Sequence, residues 1–272
     1  MPTASSVLPA LLLVGLATTV WVFAPAFHGP AAARRDLGSH RLAIGSVVAV
    51  LLLNAMLTLP LAPVLRPTPT TGFTTGTFLI AALATQVPML VVVYGRLIAP
   101  GAVTPRELGL RAMPLGTIVR VGVGAGVIGL ILTIVVDVAL SQLGLRPNQL
   151  DQFRFVRREG LTSFVLVLAS GAVVAPIVEE LFFRGFLFGF YRRRQPLWVA
   201  YLVSGLIFAL LHLEPVRMSP SQMAGLAVGI FVLGTLLALV YQLTDSLYPG
   251  MLAHALNNAT GLVLYYSVGT SG

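Results

Sequence analysis

The sequence predicts an all-α protein, a polytopic bundle of about eight transmembrane helices, and three observations predict it. Hydrophobic residues make up 57% of the 272 positions and charged residues only 10%, against about 25% charged in an average soluble domain. The mean hydropathy is +0.91. The apolar residues gather into eight runs of about 20, the length that crosses ~30 Å of hydrocarbon. These runs lie near 7–27, 42–65, 73–99, 118–143, 161–190, 196–213, 221–243 and 246–266.

Charge and cysteine content narrow the function classes. The formal charge is +8 and every one of the 17 Lys+Arg residues is arginine. The arginines fall between apolar runs, where they anchor helix ends and meet anionic headgroups. They form no single basic stripe, so no nucleic acid partner is expected. With no cysteine, disulfides and thiolate metal sites are excluded. The expected location is the cell membrane, as a multi-pass protein. The connections after the first, third, fifth and seventh runs are richer in arginine than the others, which orients both termini away from the cytoplasm.

The first run lacks a basic n-region and reads as a retained span, although Ala24-Pro25-Ala26 mimics a cleavage site. His28 and His40 follow it in a connection. After the third run, Thr104-Pro105-Arg106-Glu107 has the pattern of a capping box opening a short surface helix. The fourth run contains Gly124-Ala-Gly126-Val-Ile-Gly129, which matches the dinucleotide-binding pattern but has no strand before it. Gly122 and Gly126, like Gly225 and Gly229, are spaced for close helix packing instead. Asp137 lies in the same run. The stretch 152–159, QFRFVRRE, mixes apolar and basic residues and is expected along the headgroups.

The fifth run holds three charges, Glu179, Glu180 and Arg184. Each costs roughly 2.5 to 3.5 kcal/mol near the bilayer midplane on the insertion scale, so something must keep them there. Glu180 and Arg184 are four residues apart with the acid first, the order that neutralises both on one helix face. Glu179 projects about 100° away and needs a partner from another helix. Pro176 removes a backbone donor just before it. His212 ends the sixth run, and His254 and Asn258 lie four apart in the eighth. Singly, such groups serve as interhelical glue. Together, a carboxylate, two imidazoles and a carboxamide on three helices form a candidate site.

In this order, Glu179-Glu180-x-x-x-Arg184, Phe208-x-x-x-His212 and His254-x-x-x-Asn258 resemble the motifs of the CPBP family, the CAAX prenyl proteases and bacteriocin-processing intramembrane proteases, also called the Abi family. The resemblance covers about 161–266. It implies a catalytic core over 151–272 behind variable N-terminal helices over 1–150. It further implies a membrane-embedded metalloendopeptidase that hydrolyses a peptide bond of a membrane-associated protein or peptide. Glu179 matches the glutamate that activates water, His212 the histidine that assists it, and His254 and Asn258 the donors to the oxyanion. Glu180 and Arg184 would hold the helix. Metal use stays open: Glu179, His212 and His254 could ligate a catalytic zinc, or Glu179 could act on water directly. An arginine-only, cysteine-free chain of this size looks bacterial, which favours a peptide or membrane-protein substrate over a prenylated one.

Two other classes fit the composition. A transporter or proton relay would use Asp137 together with Glu179, and a non-catalytic immunity or scaffold protein would tolerate loss of Glu179. A protease requires the Glu179 carboxylate to lie within about 8 Å of both imidazoles, close enough to share a water or a substrate carbonyl.

Overall fold

A computed structural model describes residues 40–65, 74–101, 103–145, 153–213 and 219–270. Every element among them is helical. We label α1 His40–Leu65, α2 Thr75–Ile98, α3 Leu115–Gln142, α4 Arg154–Glu159, α5 Leu161–Arg192, α6 Leu197–Leu210, α7 Pro220–Thr244 and α8 Tyr248–Thr270. Five of these, α1, α2, α3, α5 and α7, are long and apolar enough to cross a membrane. The protein is an all-α integral membrane protein. The expected first span, 7–27, lies outside the described residues, as does His28. His40 opens α1.

The sixth expected span is shorter than predicted. Helix α6 has 14 residues, about 21 Å at 1.5 Å per residue, too short for ~30 Å of hydrocarbon. A helix of that length starting at one membrane surface ends short of the other, with His212 just beyond its end. From Arg192 back to Glu179 along α5 is 192 − 179 = 13 residues, about 20 Å by the same rise. Both side chains therefore sit at a similar depth, measured from the 192–197 connection.

Backbone contacts divide the chain into residues 1–108 and 109–272. In the first unit α1 packs on α2, which contains Pro88. That proline cannot donate to the carbonyl of Ala84 four residues earlier, and the Asn54 amide of α1 donates to it instead, at 2.9 Å. The capping box at 104–107 forms: the Thr104 backbone N–H donates to Glu107 Oε2 at 2.8 Å, and the Glu107 N–H to Thr104 Oγ1 at 3.2 Å. The expected surface helix does not follow. The chain makes turns and reaches Gly109 at φ 102°.

In the second unit α3 packs closely on α8 and α7. A Cβ on Gly122 would come within 2.9 Å of Leu252 Cβ, and one on Gly126 within 3.0 Å of a Leu256 methyl, so the glycine spacing read from the sequence serves packing. Gly229, by contrast, faces open space. Val127, Ile131, Ile134, Val135 and Val138 stay exposed on α3, as expected of a helix bathed in lipid. Helix α4 holds all of the 152–159 stretch except its first two residues, of which Gln152 lies outside the described residues. Its Phe155 and Val156 are buried in protein, and Arg154, Arg157, Arg158 and Glu159 are exposed.

Candidate active site

Helix α5 carries the site, and its backbone is irregular there. It holds two π-helical segments, Ser170–Val174 and Glu180–Phe188, on either side of Ala175–Glu179. Pro176 explains the first. The Ala175 N–H reaches back five residues to the carbonyl of Ser170. Gly171 then has Ala175 four residues ahead, already engaged, and Pro176 five ahead, with no N–H to give. Asn258 of α8 fills the deficit, its Nδ2 donating to Gly171 O at 2.7 Å. A carbonyl of the second segment is met in the same way, by Ser204 Oγ of α6 donating to Phe183 O at 3.1 Å.

Glu180 and Arg184 are fully buried and paired, with Arg184 Nη1 2.9 Å from Glu180 Oε1. The pair contact is ionic and lies off the N–H direction, since Nη1 makes no aligned hydrogen bond. The guanidinium is fixed from two more sides. Its Nη2 donates to Gly234 O of α7 at 3.0 Å, and it lies 4.2 Å over the Phe208 ring of α6.

Glu179 faces the other way. Its Oε2 is 3.7 Å from His212 Nε2 and 3.7 Å from His254 Nε2, and it has no hydrogen-bond partner. The far nitrogen of each imidazole is engaged. His212 Nδ1 is 2.7 Å from Phe208 O, a carbonyl that can only accept, so Nδ1 must carry the proton. His254 Nδ1 is 3.1 Å from Glu180 Oε1, a carboxylate oxygen already facing Arg184, which sets the same tautomer. In the neutral rings both Nε2 lone pairs therefore point toward a carboxylate oxygen. Three acceptors converge on a gap, and only a group bringing positive charge or protons satisfies them.

A water fits that description. So, by donor chemistry, does a divalent cation, held by Glu179, His212 and His254 with Glu180 orienting His254 from behind. The 3.7 Å separations lie between the ~3.3 Å of two ligands on one tetrahedral zinc and the ~4.5 Å of two acceptors bridged by one water. Among the described residues no group of three or more His, Asp or Glu side chains is arranged to hold a metal ion.

The structure thus brings Glu179, Glu180, Arg184, His212 and His254 together. Asn258 is held one step back, on the α5 backbone. Asp137 is half-buried on α3, and among the described residues no hydrogen bond or ion pair joins it to the others. Three neighbours had no role assigned from the sequence. Phe208 touches Arg184, His212 at 4.5 Å and His254 at 5.9 Å between ring centroids. Gly234 leaves no space for a side chain, since a Cβ there would sit 2.9 Å from Phe208. Gly250 brings α8 against Glu180, where a Cβ would lie 3.2 Å from Oε2. Phe208 stood in a motif; the two glycines carried no signal, because which helix they meet is not written in a lone Gly.

Residues 161–260 match the family described as type II CAAX prenyl endopeptidase, Rce1-like. The matched segment runs from the start of α5 into α8 and includes each converging side chain. No curated protein and no solved structure was found to match the chain. The matched segment lies wholly within the unit 109–272, which also holds α3.

Proposed function

We propose that the protein is a CAAX-type intramembrane endopeptidase in which Glu179 activates a water for attack on a peptide bond. One observation carries this reading: Glu179 Oε2 lies 3.7 Å from an Nε2 of each of two imidazoles, three atoms that all accept when the rings are neutral. A water there donates one hydrogen to Glu179 and the other to an Nε2, which turns its lone pair toward the substrate carbonyl carbon. As the C–O bond forms, Glu179 takes the water proton. It then passes the proton to the leaving amide nitrogen, so that a carboxylic acid and an amine result. With a proton taken up from solvent at Nε2 and returned on product release, His212 or His254 is a donor to the oxyanion, a stabilisation typically worth about 3 to 4 kcal/mol per well-placed group.

Glu180 and Arg184 act through others: Glu180 fixes the His254 tautomer and Arg184 neutralises Glu180. Asn258 positions α5 by capping Gly171, a role one step removed from the oxyanion contact that the family resemblance implies. A metal, if bound, would be held by Glu179, His212 and His254 and would supply Lewis-acid polarisation of the water. The substrate class we favour is a peptide or a membrane-protein segment, cleaved at the cell membrane.

The test is cleavage of a quenched peptide library by the full chain in detergent, compared with Glu179→Gln and His212→Ala. Loss of cleavage in both, with helicity retained, is expected. Cleavage at the parent rate in either variant removes the assignment. Loss on adding a strong chelator, restored by zinc, would instead place a metal in the gap.

A further inference from the structure

At the end of the bundle away from Glu179, three segments meet around an open pocket of about 450 Å³ lined by Arg111, Arg192, Arg193, Gln242 and Asp245. Arg111 precedes α3, Arg192 and Arg193 end α5, and Gln242 and Asp245 end α7. Three guanidinium charges against one carboxylate leave the lining with two excess positive charges. The cluster is preset. Asp245 Oδ2 pairs with Arg111 Nη1, and Oδ1 lies 2.5 Å from Arg192 Nη2. Arg192 also donates to Gln242 Oε1 at 3.2 Å and lies 4.4 Å over the Tyr241 ring. Asp245 holds this position in the left-handed region, at φ 51°, which Asp and Asn tolerate better than most residues.

The pocket also lies at a recognisable depth. Trp198, 66% exposed, opens α6 just after the arginines, and the exposed Tyr248 opens α8. Such aromatic rings settle at the level of lipid headgroups. We propose that this pocket binds the phosphate of an anionic phospholipid headgroup. Guanidinium forks match phosphate oxygens, and two excess positive charges favour a lipid whose phosphate is not offset by its own ammonium group. The carboxylate of a cleaved C-terminal tripeptide does not fit, because Arg192 is about 20 Å along α5 from Glu179 and three residues span at most about 10 Å. This inference does not depend on the protease reading.

Native mass spectrometry of the full chain tests it, with phosphatidylglycerol and phosphatidylcholine added in equal amounts to the detergent. One phosphatidylglycerol retained per chain in preference to phosphatidylcholine is expected. Arg193→Gln and Arg111→Gln should each weaken retention about fivefold, the effect of one basic residue near an anionic surface, while Arg158→Gln on α4, next to the opposite end of α5, leaves it unchanged. Thermal unfolding in phosphatidylcholine nanodiscs checks that the variants remain folded, and Arg193, on the surface, is the less demanding of the two. Equal retention of both lipids, or equal loss in Arg158→Gln, overturns the proposal. Displacement by millimolar inorganic phosphate overturns the lipid assignment and makes the ligand a soluble phosphate.

Discussion

Glu179 and Glu180 are neighbours in the chain, yet their surroundings assign them different consequences on removal. Glu180 is fully buried between Arg184 and His254. Its replacement by glutamine leaves the Arg184 guanidinium as a buried, uncompensated charge, a defect that costs about 3 to 5 kcal/mol. Glu179 is the more weakly coupled of the two to Arg184. We expect Glu180→Gln to lower thermal stability in detergent by that amount. Glu179→Gln should stay within about 1 kcal/mol of the parent, while losing about 10²- to 10⁴-fold in cleavage rate, the usual contribution of a general base. Equal destabilisation by the two substitutions would show that this division is wrong. The division was legible in the sequence, because i,i+4 spacing identifies the neutralised acid and leaves the other over. The position of Asn258 was not. Its partner carbonyl is orphaned only because the helix shifts to a five-residue register at Ser170, and spacing arguments assume a register of four.

The same device appears twice at the level of helices. Pro88 in α2 and Pro176 in α5 each withdraw a backbone donor inside the membrane, and each missing donor is replaced by an asparagine from a neighbouring helix, Asn54 and Asn258. Within hydrocarbon no water can serve, so a side chain must. A double-mutant cycle in the first unit isolates the effect. With Pro88 present, Asn54→Ala strands the Ala84 carbonyl and should cost about 1 to 2 kcal/mol. With Pro88→Ala, residue 88 regains its N–H and the same truncation should cost less, giving a coupling of at least about 0.5 kcal/mol. Thermal unfolding of the four proteins measures it, and a coupling of zero would mean that Asn54 acts by another route. Prolines can be read from a sequence, but the compensating asparagine cannot, because it lies 30 residues from Ala84 in one case and 87 from Gly171 in the other. The stopping of α6 short of a full span is equally hidden: its apolar run continues to Leu213, while its helix ends at Leu210.

For the whole molecule, hydropathy located the long helices, since apolar length is the one property a bilayer demands of every span. What hydropathy could not supply was the partner of each helix. Glycines at 122 and 126 announced that something packs closely on α3, and the structure shows it to be α8, the helix that carries His254 and Asn258. Asn257 strengthens the crossing by donating to Gly126 O at 3.2 Å. Helix α3 therefore backs the wall of the site although it contributes none of the converging groups. A pair of substitutions on α3 separates packing from helix propensity. Gly124 faces open space, so Gly124→Ala should be neutral or stabilising by up to about 1 kcal/mol through propensity alone. Gly122→Ala makes the same chemical change against Leu252 Cβ at 2.9 Å. That contact involves the first atom of the Leu252 side chain, not a flexible tip, so α8 itself must move, at a cost of about 1 to 3 kcal/mol. His254 is half a turn along α8 from Leu252, and the same displacement draws its Nε2 away from Glu179. Gly122→Ala should thus lower cleavage as well as stability, and Gly124→Ala neither. Should the two variants melt and cleave alike, α8 is not positioned by α3, and the wall behind the site lies elsewhere.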